Sequence, residues 1–330
     1  STSFTWQQKG PPWKPDVVLE GGNAASDGGL ASEMASLSLL TTHHLPQQRL
    51  LTTTNATSAA TALVSRMAAR IAAEYPALWP ETIRALIVHS ARWTSQMQDE
   101  FATGTTPTER KSKLLRHCGY GVPSLERALW SAGDSLTLIV QDRVQPFEKS
   151  QSGVKTRDMH LHALPWPAEA LLELAELEVS LRVTLSYFIE PNPGARGAGD
   201  KYSYQSHALR FEARRPGEST KLFLSRINRL ARDEEEGTST ASQDLGWTIG
   251  DQLRRRGSLH SDVWTGTAAE LADRGFVAVY PAVGWWRRRA RLQRYDRQAR
   301  YALIVSIEAP ESPLDLYALV AAKIAAEIPT

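Results

Sequence analysis

The sequence has 330 residues, 42% hydrophobic and 22% charged, and its 38 Lys and Arg nearly cancel its 36 Asp and Glu. That length suits two domains, since single cores stop growing near about 250 to 300 residues. No window holds the roughly 18 uninterrupted apolar residues of a membrane span, and the near-neutral balance gives no reason to expect a membrane or nucleic-acid partner. The lone cysteine, Cys118, excludes an internal disulfide framework and fits a reducing, cytoplasmic compartment. Ser1 to Gly10 has neither the basic start nor the apolar run of a secretory signal, and the chain reads as beginning in the middle of a domain.

Residues 1–132 alternate short strand-like and longer helix-like segments, the texture of an α/β layer architecture. Asp16 to Leu19, closed by Gly21-Gly22, predicts a buried strand ending at a tight turn. Ser58 to Glu74 contains no helix breaker, and Ala60, Leu63, Val64, Met67, Ala68 and Ile71 recur at spacings of three and four, which predicts one long amphipathic helix. Pro80 at a first-turn position, Glu81, and Ile83, Leu86 and Ile87 on one face predict a second. Residues 94–117 read as a polar excursion. Gly119 to Pro123 then predicts a tight turn into a short helix from Leu125 to Trp130.

Beyond residue 133 the pattern becomes alternating and β-branched. Strands are predicted at Leu136 to Val140, Leu177 to Ile189, Leu209 to Ala213, Phe276 to Tyr280 and Tyr301 to Ile307, without regular helices between them, as in an antiparallel β-sandwich. Residues 192–201 and 232–244 read as long loops, and 316–327 as a terminal helix. The expected organisation is therefore an α/β domain over 1–132 and an all-β domain over 133–330.

The chemistry concentrates in Thr54-Asn55-Ala56-Thr57-Ser58-Ala59-Ala60. A serine in the first turn of a long helix meets unpaired backbone N–H groups and the positive end of the helix dipole, where an oxyanion would be stabilised. The same residues read alone are also an ordinary helix cap. Asn55-Ala56-Thr57 matches a glycosylation sequon, read as coincidental because it overlaps this motif.

Three segments in order decide between these readings. Ser3-Phe4, Gly10-Pro11 and Lys14-Pro15-Asp16-Val17-Val18 resemble the stretch that precedes the nucleophile in the subtilase family; Ala56-Thr57-Ser58-Ala59-Ala60, with Val64, resembles its glycine-threonine-serine-x-alanine motif; Gly119-Tyr120-Gly121 and Leu125 resemble its closing turn. The resemblance covers roughly residues 1–132 and implies the carboxyl-terminal part of a subtilisin-like parallel-sheet domain. It implies Ser58 as nucleophile, its own N–H as an oxyanion donor and Thr57 as lining the same hole. It also implies that the aspartate, histidine and oxyanion asparagine lie upstream, so this chain alone is expected to be inactive. Ala56 and Ala62 stand where the family has glycine and proline. If the glycine serves a positive φ, alanine there would be strained.

Other chemistry is set against this. His43, His44, Asp16 and Asp27 could in principle supply a self-contained triad with Ser58. The remaining histidines lack metal-ligand spacing, and His160 with His162 share one face of a strand. Trp285-Trp286-Arg287-Arg288-Arg289, with Arg291, Arg294, Arg297, Arg300 and Arg254 to Arg256, is read as a solvated hairpin balanced by Asp233 to Glu236 rather than a nucleic-acid site. The expected function is a serine endopeptidase acting on protein or peptide, without a cofactor and with the upstream segment required. A structural calcium, known in relatives, has no recognisable ligand cluster. A non-catalytic protein-interaction module, or a degenerate pseudo-peptidase, is the alternative.

Overall fold

The computed structural model describes residues 12–133, 136–151, 153–166, 168–193, 204–236 and 244–308. Two small hairpins come first, β1 (Ala24–Ser26) with β2 (Ala31–Glu33) and β3 (Leu39–Thr42) with β4 (Leu51–Thr54). Five helices follow: α1 (Thr57–Glu74), α2 (Pro80–His89), α3 (Ser95–Phe101), α4 (Pro107–Cys118) and α5 (Leu125–Gly133). The rest runs β5 (Thr137–Val144), β6 (Phe147–Ser150), β7 (Gly153–Thr156), β8 (His160–Ala163), α6 (Ala168–Glu173), β9 (Glu178–Tyr187), β10 (Ala208–Ala213), α7 (Thr220–Glu236) and α8 (Asp251–Arg254). It closes with β11 (Leu259–Thr267), α9 (Ala268–Arg274), β12 (Phe276–Ala282), α10 (Trp285–Arg288) and β13 (Ala299–Glu308).

The class is thus mixed α and β, with a strand-rich second part. A four-stranded sheet of order β11-β9-β13-β5 and a three-stranded sheet of order β10-β12-β8 carry the packing, and every pairing among the described strands is antiparallel. Period-two alternation fixes which face each residue serves. Leu181, Val183 and Leu185 of β9 and Leu303, Val305 and Ile307 of β13 point into one apolar cluster, which they share with Leu209, Phe211, Val277 and Val279 of the smaller sheet. The intervening residues Ala302 and Ile304 turn the other way, against Ile71, Leu86 and Ala128 of α1, α2 and α5. The outer face of the smaller sheet, through Ala278 and Tyr280, takes Phe223, Ile227 and Leu230 of α7. The helices of residues 57–133 and the strands that follow therefore share a core; β5 and β13, covered on both faces, carry continuous apolar runs at Leu138 to Val140 and Ala302 to Val305, whereas β9 alternates, with Arg182, Thr184 and Ser186 on the helix-facing side.

Several expectations are corrected. Residues 94–117 form α3 and α4, because Thr94 and Thr106 cap them by accepting from the N–H groups of Met97 and Glu109, and Pro107 opens α4. Asp16 to Leu19 is not a strand but begins in a bend at Asp16 and Val17: the Val18 N–H donates to the Gly121 carbonyl (3.0 Å) instead of to a neighbouring strand. Helices α7 and α9 lie between strands, and the acidic run at 232–236 is the end of α7 rather than a loop. The Trp-Arg cluster is no hairpin. Trp285 and Trp286 are buried in α10, Arg297 and Arg300 pair with Glu190 and Glu81, and Arg254 and Arg255 pair with Glu212 and Asp251. His160 and His162 do share one face of β8, both within 2.8 Å of the Tyr301 hydroxyl. Ser3, Phe4, Gly10, Pro11 and residues 316–327 lie outside the described residues.

Candidate active site

Ser58 sits in the first turn of the 18-residue helix α1, exposed, with Ala56 as the N-cap. Alanine has no side-chain oxygen, so no side chain caps that turn; the Ala56 carbonyl accepts from the Ala59 N–H (3.0 Å), and no acidic residue offsets the positive helix end. Among the described residues none hydrogen-bonds the Ser58 hydroxyl, and Thr57 beside it is equally exposed. The anticipated strain at Ala56 is absent. Its φ of −166° and ψ of 162° are extended, a conformation open to any residue, so alanine fits where a glycine was expected.

The turn ahead of α1 is held from below. The Asn55 side-chain amide donates to the Asn23 carbonyl at 2.6 Å. Gly22 has φ +85°, and a Cβ there would meet the Asn55 side chain at 2.9 Å, while one on Gly21 would approach the Ala56 carbonyl at 3.2 Å. These two glycines let the chain pass directly beneath the residues that precede Ser58.

From there the chain runs back to the Gly119-Tyr120-Gly121 turn. The Tyr120 N–H donates to the Asp16 carbonyl (2.9 Å), and the Trp93 indole N–H to the Gly119 carbonyl (2.9 Å). The Asp16 carboxylate accepts from Lys14 (2.9 Å) and from Arg84 of α2 (3.2 Å). The segments singled out at Lys14 to Val18 and Gly119 to Gly121 are thus in direct contact. Residues 1–121 match the model of the subtilase family of peptidases. The match ends on the last residue of this turn, so the matched length contains both segments and Ser58. An uncharacterized protein of Sinorhizobium fredii, y4bN, is 27% identical over 179 residues, 53% of this chain but 38% of that protein. The chain therefore spans well under half the length of that relative.

Within the subtilase-like segment, Gly119 is the position least able to carry a side chain. Its φ is +55°, and a Cβ would run into the Pro15 and Asp16 carbonyl oxygens. Gly119→Ala is expected to lower the unfolding free energy by about 1 to 3 kcal/mol through backbone strain. Urea denaturation reads this directly, and an unchanged midpoint would mean that the two segments are not locked together.

The residues of the alternative, self-contained triad stay apart from Ser58. His43 and His44 lie beyond the Thr42 and Leu51 pair of the β3–β4 hairpin, whereas Ser58 lies past the opposite end, where Leu39 pairs with Thr54. The hairpin separates them by about 10 Å at roughly 3.3 Å per residue. Asp27 is exposed, and the Gly29 and Leu30 N–H groups that its carboxylate accepts hold its pKa below the ordinary value. No triad is assembled within the described residues. Nor do they contain a group of three His, Cys, Asp or Glu side chains able to hold a metal, or a helix long and apolar enough to cross a membrane.

One polar constellation was not anticipated. His89, at the end of α2, is buried against the larger sheet, with Nδ1 2.9 Å from the Thr184 hydroxyl and Nε2 2.7 Å from the Ser306 hydroxyl; Thr184 in turn meets Ser261 at 2.8 Å. Burial holds His89 well below the usual imidazole range, with Arg182 and Arg92 adding repulsion. A neutral, sealed imidazole between hydroxyls fills hydrogen-bonding needs of the core and has no access to substrate. The one signal in the sequence is its place on α2 three residues after the buried Leu86.

Proposed function

We propose that Ser58 is the nucleophile of a serine endopeptidase whose catalytic domain is completed by subtilase sequence upstream of this chain, residues 1–132 forming its carboxyl-terminal part and residues 133–330 a β-sandwich domain built against it. The observation that carries this reading is an exposed serine in the first turn of a long helix that has no side-chain cap. Its hydroxyl oxygen attacks the scissile carbonyl carbon while its proton passes to an upstream histidine; the carbonyl oxygen becomes an anion facing the Ser58 N–H, with Thr57 beside it. The C–N bond then breaks, the amine leaves with the proton, and water hydrolyses the acyl-enzyme.

The hairpins beside Ser58 support the need for more chain. Leu30, Leu40, Leu50 and Leu51 are at least half exposed there, an apolar concentration unusual for a finished surface. Upstream sequence carrying the aspartate, histidine and oxyanion asparagine would cover it.

The test is a fluorophosphonate probe on the complete protein. The wild type is expected to label and Ser58→Ala to lose labelling and peptidase turnover, by several orders of magnitude in rate. The isolated 330-residue chain is expected to show no turnover, since it lacks the base. Equal labelling of both proteins would remove Ser58 from the mechanism.

A further inference from the structure

A recess lies away from Ser58, at the seam between the subtilase-like segment and the larger sheet. It has a volume of about 240 Å³ and is lined by Trp93 and Gln98 from the first part and by Arg182, Ile249, Ser261 and Val263 from the second. That is below the roughly 300 Å³ at which pockets for drug-sized ligands begin, so its occupant would be small.

Its charge is unbalanced. Arg182 projects from β9 on the helix-facing side, and its Nε is buried with no hydrogen-bond partner. Arg92 and Asp262 also line the recess, and the acids there and nearby are already engaged. Glu308 pairs with Arg92. Asp262 accepts from the N–H groups of Ile249 (2.7 Å), Val263 (2.9 Å) and Gly250 (2.9 Å) and from Arg254 (3.4 Å). Burial foremost lowers the Arg182 pKa to about 9, with Arg92 and, least of all, Arg127 pressing it the same way and Glu308 and Asp262 opposing them. A guanidinium desolvated among other cations is costly unless an anion meets it. The walls to either side are apolar and aromatic, through Trp93, Ile249 and Val263.

We propose that this recess binds a small organic carboxylate, its oxygens paired with the Arg182 guanidinium and its apolar body against Trp93 and Ile249. Arginine presents parallel N–H groups that match a carboxylate in a way a point charge cannot, and the Gln98 amide on the rim offers a further donor. Whether the carboxylate belongs to a free acid or to a peptide carboxyl terminus, the recognition chemistry is the same. The proposal does not depend on Ser58 being a nucleophile.

Binding to the 330-residue chain would be measured by calorimetry with phenylacetate, its uncharged amide, an N-acetyl dipeptide acid ending in phenylalanine, and inorganic phosphate. Phenylacetate or the dipeptide acid is expected to bind and the amide not to, with affinity about tenfold or more lower in Arg182→Gln and partly restored in Arg182→Lys. Preference between the two acids identifies the source. Equal binding of acid and amide, binding of phosphate alone, or binding by none of the four would overturn the proposal. The comparison of acid with amide on the unaltered chain stands even if Arg182→Gln fails to fold.

Discussion

Glu212→Gln is expected to destabilise the fold by about 3 to 5 kcal/mol, the range for breaking a buried ion pair from one side. Glu212 is 1% exposed, on the side of β10 facing α7 and α8. Its Oε1 accepts from Arg254 and Arg255 at 2.9 Å each, and its Oε2 from Arg226 at 3.2 Å. Burial alone would raise its pKa; the three guanidiniums, Arg254 foremost, outweigh burial and hold it below the ordinary value. The amide keeps the shape but withdraws the charge shared by three cations, of which Arg226 and Arg254 are buried and Arg255 is half-buried. Arg254 would retain Asp251 and Asp262, and Arg226 would retain Glu218, which bounds the cost. Arg254 is also packed between the rings of Phe211 and Trp247, 4.7 Å from each centroid, so it cannot swing out to water without opening the core. Urea unfolding followed by fluorescence and circular dichroism measures the change. A loss under about 1 kcal/mol would place the cluster in the energetic class of solvated surface pairs.

That cluster also marks where reading the sequence stops working. The long helix at Thr57–Glu74, the short one after the Gly-Tyr-Gly turn and strands β5, β9, β10, β12 and β13 follow from local periodicity and lie within a few residues of where it puts them. Helix α7 carries the same kind of signal, Phe223, Ile227 and Leu230 at spacings of four and three, but the acidic run at its end looks like a loop when charge is weighed above period. Helices α3 and α4 are polar almost throughout, and only their threonine caps and Pro107 announce them. The helix that opens at Ser58 is legible because its signal is local; the role of Ser58 as nucleophile is what we propose. The Arg182 recess and the His89 network are not, because their parts meet only when residues 95 and 217 positions apart are brought together by the sheet. Charge balance summed over Arg254 to Arg256 and Asp233 to Glu236 misassigned the partners for the same reason: Arg254 and Arg255 find Glu212 and Asp251, whereas Glu234 pairs with Arg210.

Acid is expected to unfold this protein well above the pH at which its carboxylates protonate, through three buried histidines. His89 lies between Thr184 and Ser306, with Arg182 and Arg92 the charged groups that face it. His207 has only the Ser206 hydroxyl at 3.0 Å on Nδ1, leaves Nε2 without a partner, and packs 4.8 Å from the Trp286 ring; burial pushes its pKa down to about 3. His260 approaches the Gly257 carbonyl and the Tyr187 hydroxyl, and burial, with Arg210 and Arg254 adding repulsion, holds it well below the usual value. All three shifts are downward, so below an unfolded pKa of about 6.5 the unfolded chain binds protons that the folded chain refuses. Stability from these groups is complete above pH 6.5 and is lost as pH falls. Each histidine contributes about 1.4 kcal/mol one pH unit below its unfolded pKa, so the three together remove about 4 kcal/mol by pH 5.5, a large part of the 5 to 15 kcal/mol typical of a domain. His162, also shifted down by burial, acts in the same direction. Urea midpoints at pH 7.5, 6.5 and 5.5 should fall steeply over the last interval, and His207→Asn should flatten the slope by about a third. Midpoints that stay level to pH 5.5 would mean that these imidazoles are reached by water and protonate in the folded protein.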